Sequence, residues 1–412
     1  MSLKSINFIQ SMFRDYYKRD NSLKCFISII DRREFGFVSF KGRMIRHKGF
    51  KSMEELTTFL GDFVPRDAYL SCAYYEDPEA EMERKGWLGA DLIFDIDADH
   101  IPTACDKVHD DWTCGNCGFA GKGNTPKNCP VCGSEKFDAR TWPCEICLSS
   151  ARAESLKLLD MLMQDFGFSE NEIHVFFSGH RGYHIHVEGD VVKTLDAVAR
   201  KEIVDYVSSL GLDVFFHSLN RKDWRGPLVS QDVLVGNLGW SRRLIQGMKS
   251  FIINAKEEDF RNIGLRKNVT EAIMLNRDSI LRSLPNTRAR SFVRGVGFKT
   301  WEKITEHIVK LQSAKIDTVV TTDIHRLIRL ASTLHGKTGL KKIEFPVSAL
   351  HNFDPFKDAI AFKGGKTTIN VYDAPEFRLG DEIFGPYKNQ KVELRTAAAV
   401  LLICKGRAEV VE

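Results

Sequence analysis

An α/β (α+β) fold is predicted by three observations. Segments with strand-like alternation and segments with helical periodicity interleave along most of the chain. One strand, Leu92-Ile93-Phe94-Asp95-Ile96-Asp97, is an apolar run broken by acids where it should continue. Cysteines crowd into a short stretch from Cys105 to Cys147, which marks a small metal-binding module inside the chain. The 412 residues suffice for two domains or for one with insertions. With 43% hydrophobic and 28% charged residues and a mean hydropathy of −0.24, the composition is that of an ordinary globular protein. A net charge of +4 does not by itself call for nucleic acid. The opening Met-Ser-Leu-Lys-Ser-Ile-Asn has no signal-peptide core, and no apolar run approaches spanning length. A cytoplasmic protein without membrane contact is expected.

Ile6, Ile9, Phe13 and Tyr16/Tyr17 recur at helical spacing and predict an opening amphipathic helix. Arg33 to Phe40 and Met44 to Phe50 read as a hairpin turning near Lys41-Gly42. Ser52 and Glu55 form a capping-box pattern for a helix through Leu60. Ala68 to Tyr75 reads as a strand that leads towards the acidic one. In that acidic strand Asp95 and Asp97 are two residues apart and project from one face, with Ile96 on the other. Adjacent carboxylates raise each other's pKa unless a cation sits between them, and hard cations such as Mg²⁺ or Mn²⁺ prefer oxygen ligands of this kind.

Six of the ten cysteines form three Cys-x-x-Cys pairs between Cys114 and Cys147. In a reducing compartment such spacing favours metal over disulfides. Cys114/Cys117 and Cys129/Cys132 stand eleven residues apart, each pair followed by a glycine (Gly118, Gly133) that lets backbone amides turn towards thiolates. Four sulfurs so placed suit tetrahedral zinc. Cys144 and Cys147 need two more ligands, which Cys105 and His109 can supply. An iron–sulfur cluster fits less well, because the spacings differ from the ferredoxin runs.

Leu156, Leu159, Leu162, Met163 and Phe166 form the packing stripe of a helix ending near Gly167. Ile173 to Val187 reads as strand, glycine-bounded turn and strand, with His184 and His186 on one face. Within it Ser178, Gly179, Arg181 and His184 combine a hydroxyl, a close-approach glycine and phosphate donors. Lys193 to Gly211 predicts another helix. From Arg261 to Lys310 there are 11 Lys/Arg against 4 Asp/Glu, an excess of 11 − 4 = 7, on a helical pattern that suits equally a solvated basic face or contact with a nucleic-acid backbone. Asp317 to Thr322 is rich in β-branched residues and predicts a strand that delivers Asp323. Arg329, His335 and Lys337 come next as a clamp for phosphate, and Ala397 to Cys404 reads as buried core.

In combination these segments resemble the catalytic small subunit of the archaeal and eukaryotic DNA primase. The likeness covers nearly the whole chain. It rests on Asp95-Ile96-Asp97, on Ser178-Gly179-His180-Arg181-Gly182-Tyr183-His184, and on Asp323…Arg329…Leu334-His335-Gly336-Lys337-Thr338-Gly339, in the family's order, with a Cys/His knuckle between the first two. It implies that Asp95, Asp97 and Asp323 hold two Mg²⁺ or Mn²⁺ ions. It also implies that Ser178, Gly179, Arg181, His184, Arg329, His335 and Lys337 bind the incoming nucleotide. The implied architecture is a primase catalytic fold with a mixed sheet over residues 1–100, 148–239 and 316–412. A zinc module occupies 101–147, with one zinc on Cys114, Cys117, Cys129 and Cys132 and a second on Cys105, His109, Cys144 and Cys147. A mostly helical insertion fills 240–315. The implied activity is a nucleotidyltransferase, a DNA-directed RNA polymerase that primes replication on single-stranded DNA from NTPs, or from dNTPs as the alternative. A large regulatory subunit is its implied partner. Two other readings are a primase-polymerase of DNA repair and a non-catalytic zinc-dependent nucleic-acid-binding protein. The sequence departs from the family at Ala331-Ser332, where Pro-Gly is common. The ribbon of Cys114 to Cys132 looks like an insertion within the knuckle, so no family role is carried onto it.

Overall fold

Ser2 starts the first helix, α1 (Leu3–Tyr17), by accepting the Ser5 N–H on its hydroxyl at 3.3 Å. Ile9, Phe13, Tyr16 and Tyr17 then bury one side of it. This computed structural model describes residues 1–19, 23, 25, 27–212, 238–284 and 293–411. The hairpin of β1 (Arg33–Val38) and β2 (Met44–Lys48) follows, then α2 (Met53–Phe63). Ser52 caps α2 by accepting the Glu55 N–H, while Glu55 reaches back to the Lys51 N–H rather than to the cap itself. Strands β3 (Asp67–Tyr75), β4 (Trp87–Ala90) and β5 (Leu92–Asp97) lead to the acidic segment. Next come three short ribbon strands, β6 (Asp111–Cys114), β7 (Ala120–Lys122) and β8 (Phe137–Arg140), and the helix α3 (Glu145–Gln164).

The second hairpin pairs β9 (Ile173–Phe177) with β10 (Gly182–Val187). After it the chain is helical: α4 (Asp190–Lys193), α5 (Ala197–Ser208), α6 (Gly239–Asn254), α7 (Glu257–Asn262), α8 (Lys267–Leu275), α9 (Arg277–Ser283) and α10 (Phe298–Gln312). The remainder alternates short elements: α11 (Thr318–Thr322), β11 (Leu327–Arg329), β12 (Ile343–Phe345), α12 (Pro355–Asp358), β13 (Lys366–Ala374), β14 (Phe377–Leu379), β15 (Glu382–Phe384), β16 (Tyr387–Arg395), α13 (Thr396–Cys404) and β17 (Ala408–Val410).

These elements divide into two units, one of Met1–Leu156, Glu170–Lys201 and Ile316–Glu412, the other of Lys157–Ser169 and Glu202–Lys315. Among the described residues the second unit has only helices. Its core gathers Trp240, Leu244, Met248, Phe251, Phe260, Ile273, Trp301, Ile304 and Ile308, and Arg243 is held there by Asp165 at 2.6 Å. Arg288 and Arg290, part of the basic stretch, lie outside the described residues.

The first unit carries two principal sheets, ordered β11-β3-β1-β2 (with β4 beside β3) and β12-β9-β10-β5. Every strand pair among the described residues is antiparallel, which corrects the mixed sheet expected from sequence. Tight turns join β1 to β2 and β9 to β10, and such connections permit only antiparallel neighbours. The run from Asp317 to Thr322 is a second correction. It is the single helical turn α11, because the Asp317 carboxylate accepts the Val319 N–H at 3.0 Å and Thr322 Oγ1 donates to the Thr318 carbonyl at 3.1 Å. A side-chain cap here overrides β-propensity.

The β5–β10 register decides which side chains meet at the sheet's functional face. Gly182 lies opposite Asp97, His184 opposite Asp95 and His186 opposite Ile93, so the acids and these histidines share one face. The other face carries Phe94, Ile96, Tyr183 and Ile185, all buried in the core. A Cβ at Gly182 would lie 2.4 Å from the Ile96 carbonyl oxygen. Gly182→Ala should therefore push β10 off β5, at a cost of about 1–3 kcal/mol by the usual scale of overpacking. Chemical denaturation checks this; an unchanged midpoint would contradict the close approach.

Candidate active site

Strand β5 anchors its acids through Leu92, Ile93, Phe94 and Ile96, each at most 2% exposed. Asp95 stands 3.5 Å from His184 Nε2, and Asp97 accepts the Asp99 N–H at 2.9 Å. Burial, Asp97 and Asp317 together push the Asp95 carboxyl up to about 7. Burial and Asp99 raise Asp97, against the pull of Arg181. Asp317 is held beside the strand by its own N–H, which donates to the Asp95 carbonyl at 2.8 Å. The third acid beside the strand is therefore Asp317, where the sequence pointed to Asp323. Asp323 sits at the far end of α11, its carboxylate accepting the His325 N–H at 3.0 Å and its carbonyl facing the Cys72 thiol at 3.7 Å.

Facing the acids is a wall of cationic and imidazole groups. Ser178 Oγ accepts the N–H groups of His180 and Gly182, both at 3.3 Å, and so shapes the β9–β10 turn. Gly179, at φ +87°, lies against the 335–340 loop: a Cβ there would meet His335 Cβ at 2.9 Å, and its carbonyl accepts Thr338 Oγ1 at 2.5 Å. Asp67 fixes the wall's other side, accepting Arg329 Nη1 at 2.8 Å and the Gly336 N–H at 2.9 Å. Burial alone would raise Asp67, yet Arg329 and the Gly336 N–H hold it well below the usual carboxylate range. His335 accepts the Lys337 N–H on Nδ1 at 3.1 Å. Burial and Arg329 keep its imidazole neutral. Burial does the same at His184, together with Lys342 and Arg329, and His184 Nδ1 has no hydrogen-bond partner among the described residues. Lys337 is exposed.

Lys342 and Arg181 differ from what the sequence suggests. Lys342 belongs to none of the sequence motifs, yet it is 1% exposed, donates to the Arg329 carbonyl at 2.7 Å and lies over the Phe176 ring at 4.4 Å. Burial and Arg329 push its amine down to about 7, against the attraction of Asp95. Its only signal in the sequence is a second lysine directly after Lys341 in an otherwise apolar β-prone stretch. Arg181 is expected from sequence at the triphosphate. It is 1% exposed, with Nη1 at 2.8 Å from Asp110, Nη2 on Asp99 and a further bond to the Trp142 carbonyl at 3.3 Å. Both Nη groups are thus committed to protein and act as a post that fixes the turn, while Nε has no hydrogen-bond partner among the described residues and lies 4.0 Å from Asp97.

Asp110 leads from that post to the first metal-ligating group. It accepts His109 Nδ1 at 2.8 Å, which leaves Nε2 for a metal. That nitrogen is 3.1 Å from Cys144 Sγ, 3.5 Å from Cys105 Sγ and 3.6 Å from Cys147 Sγ. In the ribbon, Cys114 and Cys132 are 3.6 Å apart, as are Cys117 and Cys129. Zinc bonded at about 2.3 Å in a tetrahedron spaces sulfurs roughly 3.8 Å apart, so both groups fit it. Among the described residues these are the two sets whose ligand atoms lie within 4.8 Å of one another; the carboxylates of β5 and α11 are more widely spaced.

A DNA primase small-subunit family model matches residues 139–347. Curated relatives named DNA primase small subunit PriS align over the whole chain: 32% identity in Methanothrix thermoacetophila and 30% in Nitrosopumilus maritimus, each covering 100% of both chains. The relative in Picrophilus torridus is 32% identical over 87% of this chain and 84% of its own. The chain belongs to the DNA primase small-subunit family. It is thus a nucleotidyltransferase of DNA replication that makes RNA primers. No helix among the described residues is long and apolar enough to cross a membrane.

In this small subunit the structure brings Asp95, Asp97, Ser178, Gly179, His184, Arg329, His335 and Lys337 to one region and adds Asp317 and Lys342. The raised Asp95 gives a pH test. Its carboxyl is near the ordinary 3.8 when unfolded and about 7 when folded. Between those values the folded state holds a proton that the unfolded state lacks, so stability without Mg²⁺ or Mn²⁺ should fall as pH rises through that window. A divalent ion binds the ionised form, so added Mn²⁺ should raise Tm more at the upper end of the window than at the lower. Asp95→Asn should flatten both trends. Thermal melts across pH, with the cysteine sites kept loaded, check this; a Tm response to Mn²⁺ that ignores pH would contradict it.

Proposed function

We propose that this small subunit extends primers on single-stranded DNA by two-metal nucleotidyl transfer at Asp95, Asp97 and Asp317. The observation that supports it is the hydrogen bond from the Asp317 N–H to the Asp95 carbonyl, which brings a third half-buried acid to the edge that carries Asp95 and Asp97; acids so placed, with cations opposite, suit divalent ions and phosphates. Two Mg²⁺ or Mn²⁺ ions would supply charge neutralisation and a more acidic attacking hydroxyl. The protein's own part is positioning. Ser178 and Gly179 shape a turn against which phosphates can lie close to the backbone, and Arg329, His335 and Lys337 face them with donors. His184 places Nε2 beside Asp95, and Lys342 supplies positive charge from beneath. Arg181 holds the turn in place. NTPs are the substrates in this reading, with dNTPs to be compared directly.

Around this chemistry, each cysteine group takes one structural zinc, since four protein ligands leave no open position for water. The excess of basic residues from Arg261 to Lys310 contacts the template backbone, and a large regulatory subunit completes the enzyme. Elemental analysis should give two zinc ions per chain; one in fully loaded protein would remove one of the sites.

Template-dependent incorporation by single variants tests the core of the reading. Asp95→Ala, Asp97→Ala and Asp317→Ala should each lower incorporation at least about 100-fold, the scale of removing one preorganised electrostatic group. Asp323→Ala should retain most activity. A folded Asp317→Ala enzyme of near-native rate, with Asp323→Ala inactive, would reverse the assignment. Wild-type protein that incorporates neither NTP nor dNTP on a template would sink the whole reading.

A further inference from the structure

The buried run that closes the chain ends in a charge. Helix α13 is apolar from Ala398 to Ile403, and the next-but-one residue, Lys405, is 8% exposed, its N–H bonded to the Leu401 carbonyl at 3.0 Å. Its Nζ reaches His180 Nε2 at 2.6 Å. Among the described residues no carboxylate lies within ion-pair distance of it. The acid that attracts it, Asp110, is already shared by Arg181 and His109. A buried ammonium without a counter-charge is costly unless an anion arrives to meet it.

The surroundings point to where that anion sits. His180 stacks on His335 with ring centres 5.2 Å apart, and Lys337 follows at the exposed rim. Lys337, His335, His180 and Lys405 thus form a row from surface to interior. Burial and Lys405 keep His180 neutral, so its Nε2 is an acceptor and Lys405 the donor. Burial, Arg181 and Lys337 push the Lys405 amine down to about 7, as gathered positive charges without partners do.

We propose that Lys405 is a further nucleotide-binding residue, its ammonium meeting the terminal phosphates of the incoming nucleotide at the inner end of this row. His180 then serves to aim it. This assignment rests on the phosphate-site reading above and adds to it a residue outside the three motif segments.

Binding of inorganic tripolyphosphate to the full chain, followed by calorimetry, tests it. Lys405→Met should weaken that binding by about ten- to a hundredfold, the range of one hydrogen bond to a charged group. Lys405→Arg should recover most of the loss, and binding of a single-stranded DNA oligonucleotide should not change. Should Lys405→Met fail to fold, Lys405→Gln keeps a donor for His180, removes the charge and carries the same expectation. Lys337→Ala separates the role of Lys405 from the phosphate site as a whole. If it weakens tripolyphosphate binding and the Lys405 variants do not, Lys405 is only a support for His180 and the inference is overturned. If neither changes binding, the phosphate-site reading itself fails.

Discussion

The pairing of β10 with β5 is the constraint on which the site depends. Because Gly182 has no side chain, the two backbones meet closely opposite Asp97, and His184 falls opposite Asp95. A slip of one residue would turn His184 to the core face and Tyr183 towards the acids. The acids and the imidazoles would then lie on opposite sides of the sheet. The apolar residues between them, Phe94, Ile96, Tyr183 and Ile185, enforce the register because only one alignment buries them all.

Around that pairing, charge is arranged so that the protein's own groups leave the centre unneutralised. Arg181, through its two Nη groups, and Asp67 are each tied to protein partners and serve as fixed points, one behind the β9–β10 turn and one behind the 335–337 loop. Arg181 also ties the site to the Cys105/His109/Cys144/Cys147 group through Asp110. That group is thereby joined to the turn through two hydrogen-bonded links, His109 to Asp110 and Asp110 to Arg181. What remains is an acidic edge at Asp95, Asp97 and Asp317, of which Asp97 has, among the described residues, only the distant Arg181 Nε at 4.0 Å, and a row of donors opposite. Divalent cations and phosphates fit between them.

Periodicity made much of this legible in the sequence. The α1 stripe, the β1–β2 hairpin, β3, the alternation of Asp95 and Asp97, the β9–β10 hairpin and both cysteine groups follow from spacing alone, since spacing decides which face a side chain takes. What sequence misjudged were the places where one local hydrogen bond outweighs a propensity or a burial pattern. The β-branched Thr318-Val319-Val320-Thr321-Thr322 suggests a strand, but the Asp317 cap winds it into a helix, and Asp317, which the sequence did not single out, is bonded to the Asp95 carbonyl. Arg181 carries the look of a phosphate donor, and only the fold reveals that Asp99 and Asp110, far from it in sequence, take its hydrogen bonds. Lys342 and Lys405 follow apolar or β-prone runs, and nothing in their spacing indicates that both amines turn inward.

The central claim is that divalent ions lie among Asp95, Asp97 and Asp317 with nucleotide phosphates on the opposite wall. Anomalous diffraction at the manganese edge, from crystals grown with Mn²⁺ and a non-hydrolysable NTP, tests it most directly. The account predicts manganese peaks shared by these three carboxylates and phosphate density against His335 and Lys337. Manganese bound at Asp323, or phosphates seated away from the 335–337 loop, would contradict it.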